Sequence, residues 1–156
     1  MGRRHLSRAA LVAFGLLLFA APAPALASPT WQLVARGNAR GPLDQLTGYV
    51  ALDRPSATAW SARTGKSGAA ALRRADFSRN ALVAVFGPFG CKDGRVAVAS
   101  LTQRGSTLAV SLRESSPAPG TVECMAIFET FRLLTVPKAE LHKPYPTHAT
   151  VALARA

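Results

Sequence analysis

The hydrophobic pattern changes character near residue 76, from mixed stretches with helix-forming residues to runs with a period of two. Ala81-Leu82-Val83-Ala84-Val85-Phe86 is an uninterrupted apolar run between Asn80 and the turn-forming Gly87-Pro88-Phe89-Gly90. A short run of that kind predicts a central strand covered on both faces. Residues 95–103 and 107–114 alternate around Arg104-Gly105, with Leu108, Val110 and Leu112 on one side and Thr107, Ala109, Ser111 and Arg113 on the other. That is the signature of a hairpin with one buried face. Pro117-Ala118-Pro119-Gly120 breaks the chain before two more alternating stretches, 122–128 and 131–136, and Pro137-Lys138 ends the second. Residues 147–153 suit a last strand at a sheet edge.

Upstream, residues 31–36 alternate Trp31, Leu33 and Ala35 with Gln32, Val34 and Arg36, and residues 48–52 suit a second short strand. Pro55 and Ser56 open a stretch of helix formers that carries Trp60, and residues 67–75 read as a helix because Ala69-Ala70-Ala71-Leu72 propagates well and Ser67 can cap it. The expected fold is a β-dominated α+β single domain, an antiparallel meander sheet packed by one helical segment and the two N-terminal strands.

Residues 1–27 have the three parts of a cleavable leader. Arg3, Arg4, His5 and Arg8 make a cationic start, residues 11–20 an apolar core, and Ala25-Leu26-Ala27 a small-residue cleavage pattern. Arg3-Arg4-His5-Leu6 is also similar to a twin-arginine signal, although so apolar a core suits the general route better. A membrane span needs about 20 apolar residues, and this run stops at Pro22 and Pro24. The first cysteine is Cys91, so no acyl-anchor site follows the cleavage pattern. The expected product is extracytoplasmic, periplasmic or secreted, and soluble. The organisation that follows is a signal peptide over 1–27, an N-terminal strand and loop over 28–47, a core over 48–138, and a proline-containing tail over 139–156.

Charge then narrows the partner classes. The chain carries 19 basic against 8 acidic residues, and loss of the three arginines in the leader leaves a mature net charge of +8. The basic residues are dispersed from Arg36 to Arg155, which fits attraction to anionic surfaces, polysaccharide or an acidic protein. No basic run with interleaved aromatics offers a platform for specific nucleic-acid binding. Cys91 and Cys124 are the two cysteines, and in an oxidising compartment the simplest reading is a disulfide closing a loop of about 34 residues. On the chain-entropy account such a bridge stabilises by roughly 3 to 4 kcal/mol.

The order of motifs in the C-terminal half resembles the PrcB-like C-terminal domain family of protease-complex subunits. Asp76-Phe77-Ser78-Arg79 with the apolar strand to Gly87, the glycine-containing loop, the hairpin of residues 96–112, Pro119-Gly120, and the closing Val136-Pro137-Lys138 follow the family in sequence, and Trp60 is similar to its tryptophan-bearing helix. Asp93-Gly94-Arg95-Val96 stands where the family has Gly-Tyr, and Glu129-Thr130-Phe131 where it tends to have proline. The resemblance implies a domain without chemistry of its own that binds an extracytoplasmic protease as an accessory, stabilising or inhibitory partner, with Trp60, Asp76, Phe77 and Pro137 as structural motif residues.

For chemistry, the serines lack a Gly-x-Ser-x-Gly elbow, and His142 and His148 lie in the proline-rich tail. Glu114 and Glu123 flank the Pro-Gly break, but such a pair more often bridges to arginine than serves as acid and base. Glu140, His142 and His148 are the nearest approach to a metal set, splayed by Pro144 and Pro146. No catalytic residue, metal or cofactor is expected. The candidate protein-binding loop is Pro88, Phe89, Lys92 and Asp93, where Phe89 either offers a partner an aromatic anchor or folds back over the core. The alternatives to protein binding are a basic envelope or polyanion binder and an unrecognised hydrolase. If the leader is cleaved as read, N-terminal sequencing of the exported protein returns Ser28-Pro29-Thr30; a product that keeps residues 1–27 overturns the reading.

Overall fold

A computed structural model describes residues 28–41, 45–90, 95–120, 126 and 128–155. Among these residues seven strands form one sheet: β1 Gln32–Asn38, β2 Thr47–Ala51, β3 Asn80–Gly87, β4 Val96–Arg104, β5 Thr107–Glu114, β6 Thr130–Pro137 and β7 His148–Arg155. Their order is β1-β6-β3-β2-β7-β5-β4. β3 is the apolar run, and every residue from Ala81 to Gly87 is buried, as expected for a strand covered on both faces.

The sheet departs from an antiparallel meander. β7 enters between β2 and β5 and runs parallel to β5, in register from Thr107 with His148 to Glu114 with Arg155. It is therefore an internal strand, not the expected edge. Its inward side chains Ala149, Val151 and Leu153 supply the reason, because they pack against the same core as Leu108, Val110 and Leu112 of β5. Gln103 guides the tail into this slot. Its Nε2 donates to the carbonyls of Gly105, His142 and Pro144 at 2.8, 2.8 and 3.2 Å, and its Oε1 accepts from His142 N at 2.9 Å.

The two faces of β3 feed two cores. Ala81, Val83 and Val85 join β4, β5, Leu134 and Val136 in an inner cluster, while Leu82, Ala84 and Phe86 join Trp60, Leu72, Phe131 and Leu133 under the helices. In a flat sheet about 14 Å would separate β3 from β5, at about 4.8 Å per strand spacing. Side chains on the two strands meet because the sheet is rolled, and the roll is tight enough for Arg132 Nη2 of β6 to donate to Val96 O of β4 at 2.8 Å. The bend falls at β2 and β7, which pair at just two positions, Gly48 with Ala149 and Tyr49 with His148. A Cβ at Gly48 would lie 2.8 Å from both Ala149 Cβ and Val151 Cγ2, so the corner is built where a strand has no side chain.

The outer layer is helical. The expected single helix is two, α1 Arg54–Ser61 and α2 Gly65–Arg74, joined by a 3-10 turn over Ala62–Thr64. The cap lies earlier than Ser67: Asp53 Oδ1 accepts from Ser56 N at 2.8 Å at the start of α1, whereas Thr64, which precedes α2, makes no side-chain cap bond. Arg54 Nη1 donates to Leu72 O at 3.0 Å, closing the end of α2. Lys138 Nζ donates to the carbonyls of Leu52 and Phe77 at 2.8 and 2.6 Å, which ties the end of β6 to the loops on either side of the helices.

Phe86 is fully buried and meets Tyr49, Trp60 and Phe131 at centroid distances of 5.8, 6.5 and 6.4 Å. Phe86→Ala is therefore expected to lower unfolding stability by about 3 to 5 kcal/mol in urea titrations, while Ser111→Ala on the exposed side of β5 changes it by no more than about 0.5 kcal/mol.

Candidate functional site

β1 is an edge strand that pairs with β6 alone, and it is fastened at both ends. At its start, Thr30 N and Oγ1 donate to the Glu140 carboxylate at 2.6 and 2.7 Å. These bonds from the Thr30 backbone N–H and then its hydroxyl hold the Glu140 carboxyl below its ordinary pKa. At its end, Ala39 N donates to Glu129 O at 2.8 Å, Arg40 N to Arg63 O at 3.0 Å, and Arg63 Nε back to Arg40 O at 3.2 Å.

Arg63 is the centre of the second fastening. Its Nη2 pairs with Glu129 Oε1, its Nη1 donates to the Tyr49 hydroxyl at 3.2 Å, and its guanidinium stacks 4.0 Å from the Phe86 ring centre. The Glu129 side chain is 1% exposed and that of Arg63 21%. Removing Arg63 would leave a buried carboxylate without its counter-charge, a loss of about 3 to 5 kcal/mol for a pair of this kind.

Between the two fastenings lies an open groove of about 490 Å³, walled by β1 and α2 and floored by Leu82 and Thr135. Leu33 and Val34 both line it, and they are among the most exposed large apolar residues, at 43% and 39%. Neighbours in a regular strand face opposite ways, but the register shifts between Leu33 and Ala35. The shift makes Val34 the extra residue of a β-bulge at the groove margin. Across from them stands Arg74, in the last turn of α2, where a cation complements the helix dipole. No ion pair engages Arg74 among the described residues. Asp76, which also lines the groove, is occupied: its Oδ1 accepts from Ser78 N and Oγ at 2.9 and 2.5 Å, and Arg79 Nε lies 3.9 Å from its Oδ2. The Ser78 hydroxyl first, and the Ser78 backbone N–H next, lower the Asp76 pKa.

The residues singled out from sequence fall elsewhere. Phe89 is 6% exposed and belongs to the inner core, with the Arg132 guanidinium 4.7 Å above its ring, so of the two readings it takes the folded-back one and is no exposed anchor. Pro88 is half-buried. Lys92, Asp93, Cys91 and Cys124 lie outside the described residues, as do the leader and Glu123. Trp60 is buried beside Phe86, Phe77 packs at the margin of the helix-side core, and Pro137 pairs with Asn80 at the end of β6. Glu114 lies 3.6 Å from Arg95, the arginine bridge expected of it. His142 and His148 are exposed, and no group of three metal-ligating side chains converges among the described residues. Sequence reading missed the groove and the Arg63–Glu129 pair. The signal available for the second was Glu129 and Arg132, charged residues at the head of an otherwise apolar strand. No family model, curated protein or solved structure matches the chain.

Because the folded-state pKa of Glu140 is depressed, its contribution is present above the unfolded carboxylate value and is lost as pH falls through the folded one. Amide exchange at Thr30, measured by NMR, is therefore expected to quicken on acidification through that window, and Glu140→Gln to make it fast and pH-independent there once intrinsic exchange is divided out.

Proposed function

We propose that this chain is an exported, non-catalytic protein-binding domain that serves as an accessory, stabilising or inhibitory partner of an extracytoplasmic protease. The observation that carries protein binding is the pair Leu33 and Val34, exposed side by side at a free sheet edge beside an open groove. An edge strand offers unpaired backbone groups to an incoming chain, and apolar side chains that border a groove supply the contact area. Export rests on the leader pattern of residues 1–27, and the protease partner on the motif order that resembles the PrcB-like family. In an oxidising compartment Cys91 and Cys124 pair. The hydrogen bond from Gly90 N to Phe128 O at 3.1 Å, next to the first cysteine and four residues beyond the second, supports that pairing.

The test is affinity capture from the native exoproteome with the mature protein at physiological salt. Recovery of one protease at fixed stoichiometry, retained at higher salt, is the expected result. Recovery of lipopolysaccharide or DNA alone, released as salt rises, would replace this reading with polyanion binding.

A further inference from the structure

We infer that the free edge of β1 takes up an extended acidic segment of a partner protein by strand addition, with an apolar side chain of that segment seated in the groove between β1 and α2. The inference rests on the protein-binding reading above and names the chemistry of what binds.

The two edges of the sheet differ in a way that singles out β1. On β4, the carbonyl of Val96 is taken by Arg132 reaching across from β6, so that edge is partly occupied. On β1, no hydrogen bond reaches the outer side of residues 32–38 among the described residues. The strand is also held before any partner arrives, by Thr30 and Glu140 at one end and by Arg63, Arg40 and Glu129 at the other. An ordered strand loses little further entropy on binding, which is what strand addition requires. Leu33 and Val34 line the groove beside this edge, so an incoming segment meets backbone groups and an apolar recess together.

Charge decides which segment fits. β1 contains one charged residue, Arg36, and no acid. Arg36 is exposed, Arg74 stands on the opposite wall, and neither pairs with an acid among the described residues. The one carboxylate of the groove, Asp76, is already engaged by Ser78 and lies beside Arg79. A second copy of this chain would bring Arg36 and a strongly basic domain against their like. An extended segment that alternates apolar and acidic side chains satisfies both the recess and the two arginines.

The probe is a fluorescein-labelled synthetic peptide of alternating valine and glutamate, titrated into the mature protein and read by fluorescence anisotropy, with NMR shifts to locate it. Saturable binding that shifts residues of β1 and α2, and that weakens about ten-fold in Arg74→Glu and in Val34→Lys, is expected for loss of one rim charge or one apolar contact. Both substitutions lie on the surface, and unchanged dispersion of the remaining NMR signals confirms that the variants fold. A peptide with lysine for glutamate, or one N-methylated on alternate residues, should bind at least about ten-fold more weakly. Absence of binding up to the solubility of the acidic peptide, equal binding of either control, or indifference to both substitutions overturns the inference. If the peptide binds at β1 while capture recovers no protease, the edge assignment stands and the protease reading falls. If a captured protease binds Arg74→Glu and Val34→Lys as well as it binds the unaltered protein, the reverse holds.

Discussion

The inner core formed by Ala81, Val83 and Val85 against the β4–β5 hairpin is the contact on which the remainder of the structure depends. β3 is apolar on both faces, so it needs two coverings, and the helices supply one. The other comes from the sheet itself, which curls until its distant strands shelter its middle. That solution places demands on individual positions: a residue without a side chain at Gly48, short pairing between β2 and β7, and a cation, Arg132, long enough to bridge β6 and β4. Arg132 is buried at 2% exposure and lies over Phe89. A charge in that position is tolerated because its Nη2 donates to the Val96 carbonyl and an aromatic face lies beneath it.

Rolling the sheet in one direction exposes its back, and the helices answer that exposure unevenly. α1 and α2 cover Phe86, Phe131 and Leu133 but leave the groove beside β1 open. The strand at that margin would fray if it depended on β6 alone. Its two fastenings differ in kind: Thr30 with Glu140 is an exposed pair of hydrogen bonds, whereas Arg63 with Glu129 joins a half-buried cation, set against an aromatic ring, to a buried carboxylate. The first yields to acid, while the second adds bonds from Arg63 to the Tyr49 hydroxyl and the Arg40 carbonyl.

Much of the element content was legible in the sequence. The apolar run of β3, the alternation of β5 and the proline that ends β6 each report a face or a boundary, and a period of two is a local property of the chain. Partners are not local. β7 reads as a last edge strand, yet its inward Ala149, Val151 and Leu153 pack against the same core as β5. The margin of β1 was illegible for a different reason: Trp31, Leu33 and Ala35 predict a regular strand with one buried side, and the bulge at Val34 leaves no compositional trace. Phe89 shows how an aromatic residue in a Gly-Pro loop can point either way, and here it joins the inner core with Arg132, more than forty residues downstream, over its ring.

The internal placement of β7 has a consequence for how the molecule is assembled. β2 and β5 are not hydrogen-bonded to each other in the sheet and are joined through β7, so residues 148–155 act as the keystone of an arch whose two limbs are made far earlier in the chain. Before the keystone seats, each limb carries a bare flank and half of a hydrophobic lining. Contacts of such long sequence separation form slowly. A chain emerging N-terminus first leaves those surfaces uncovered until residues 148–155 arrive.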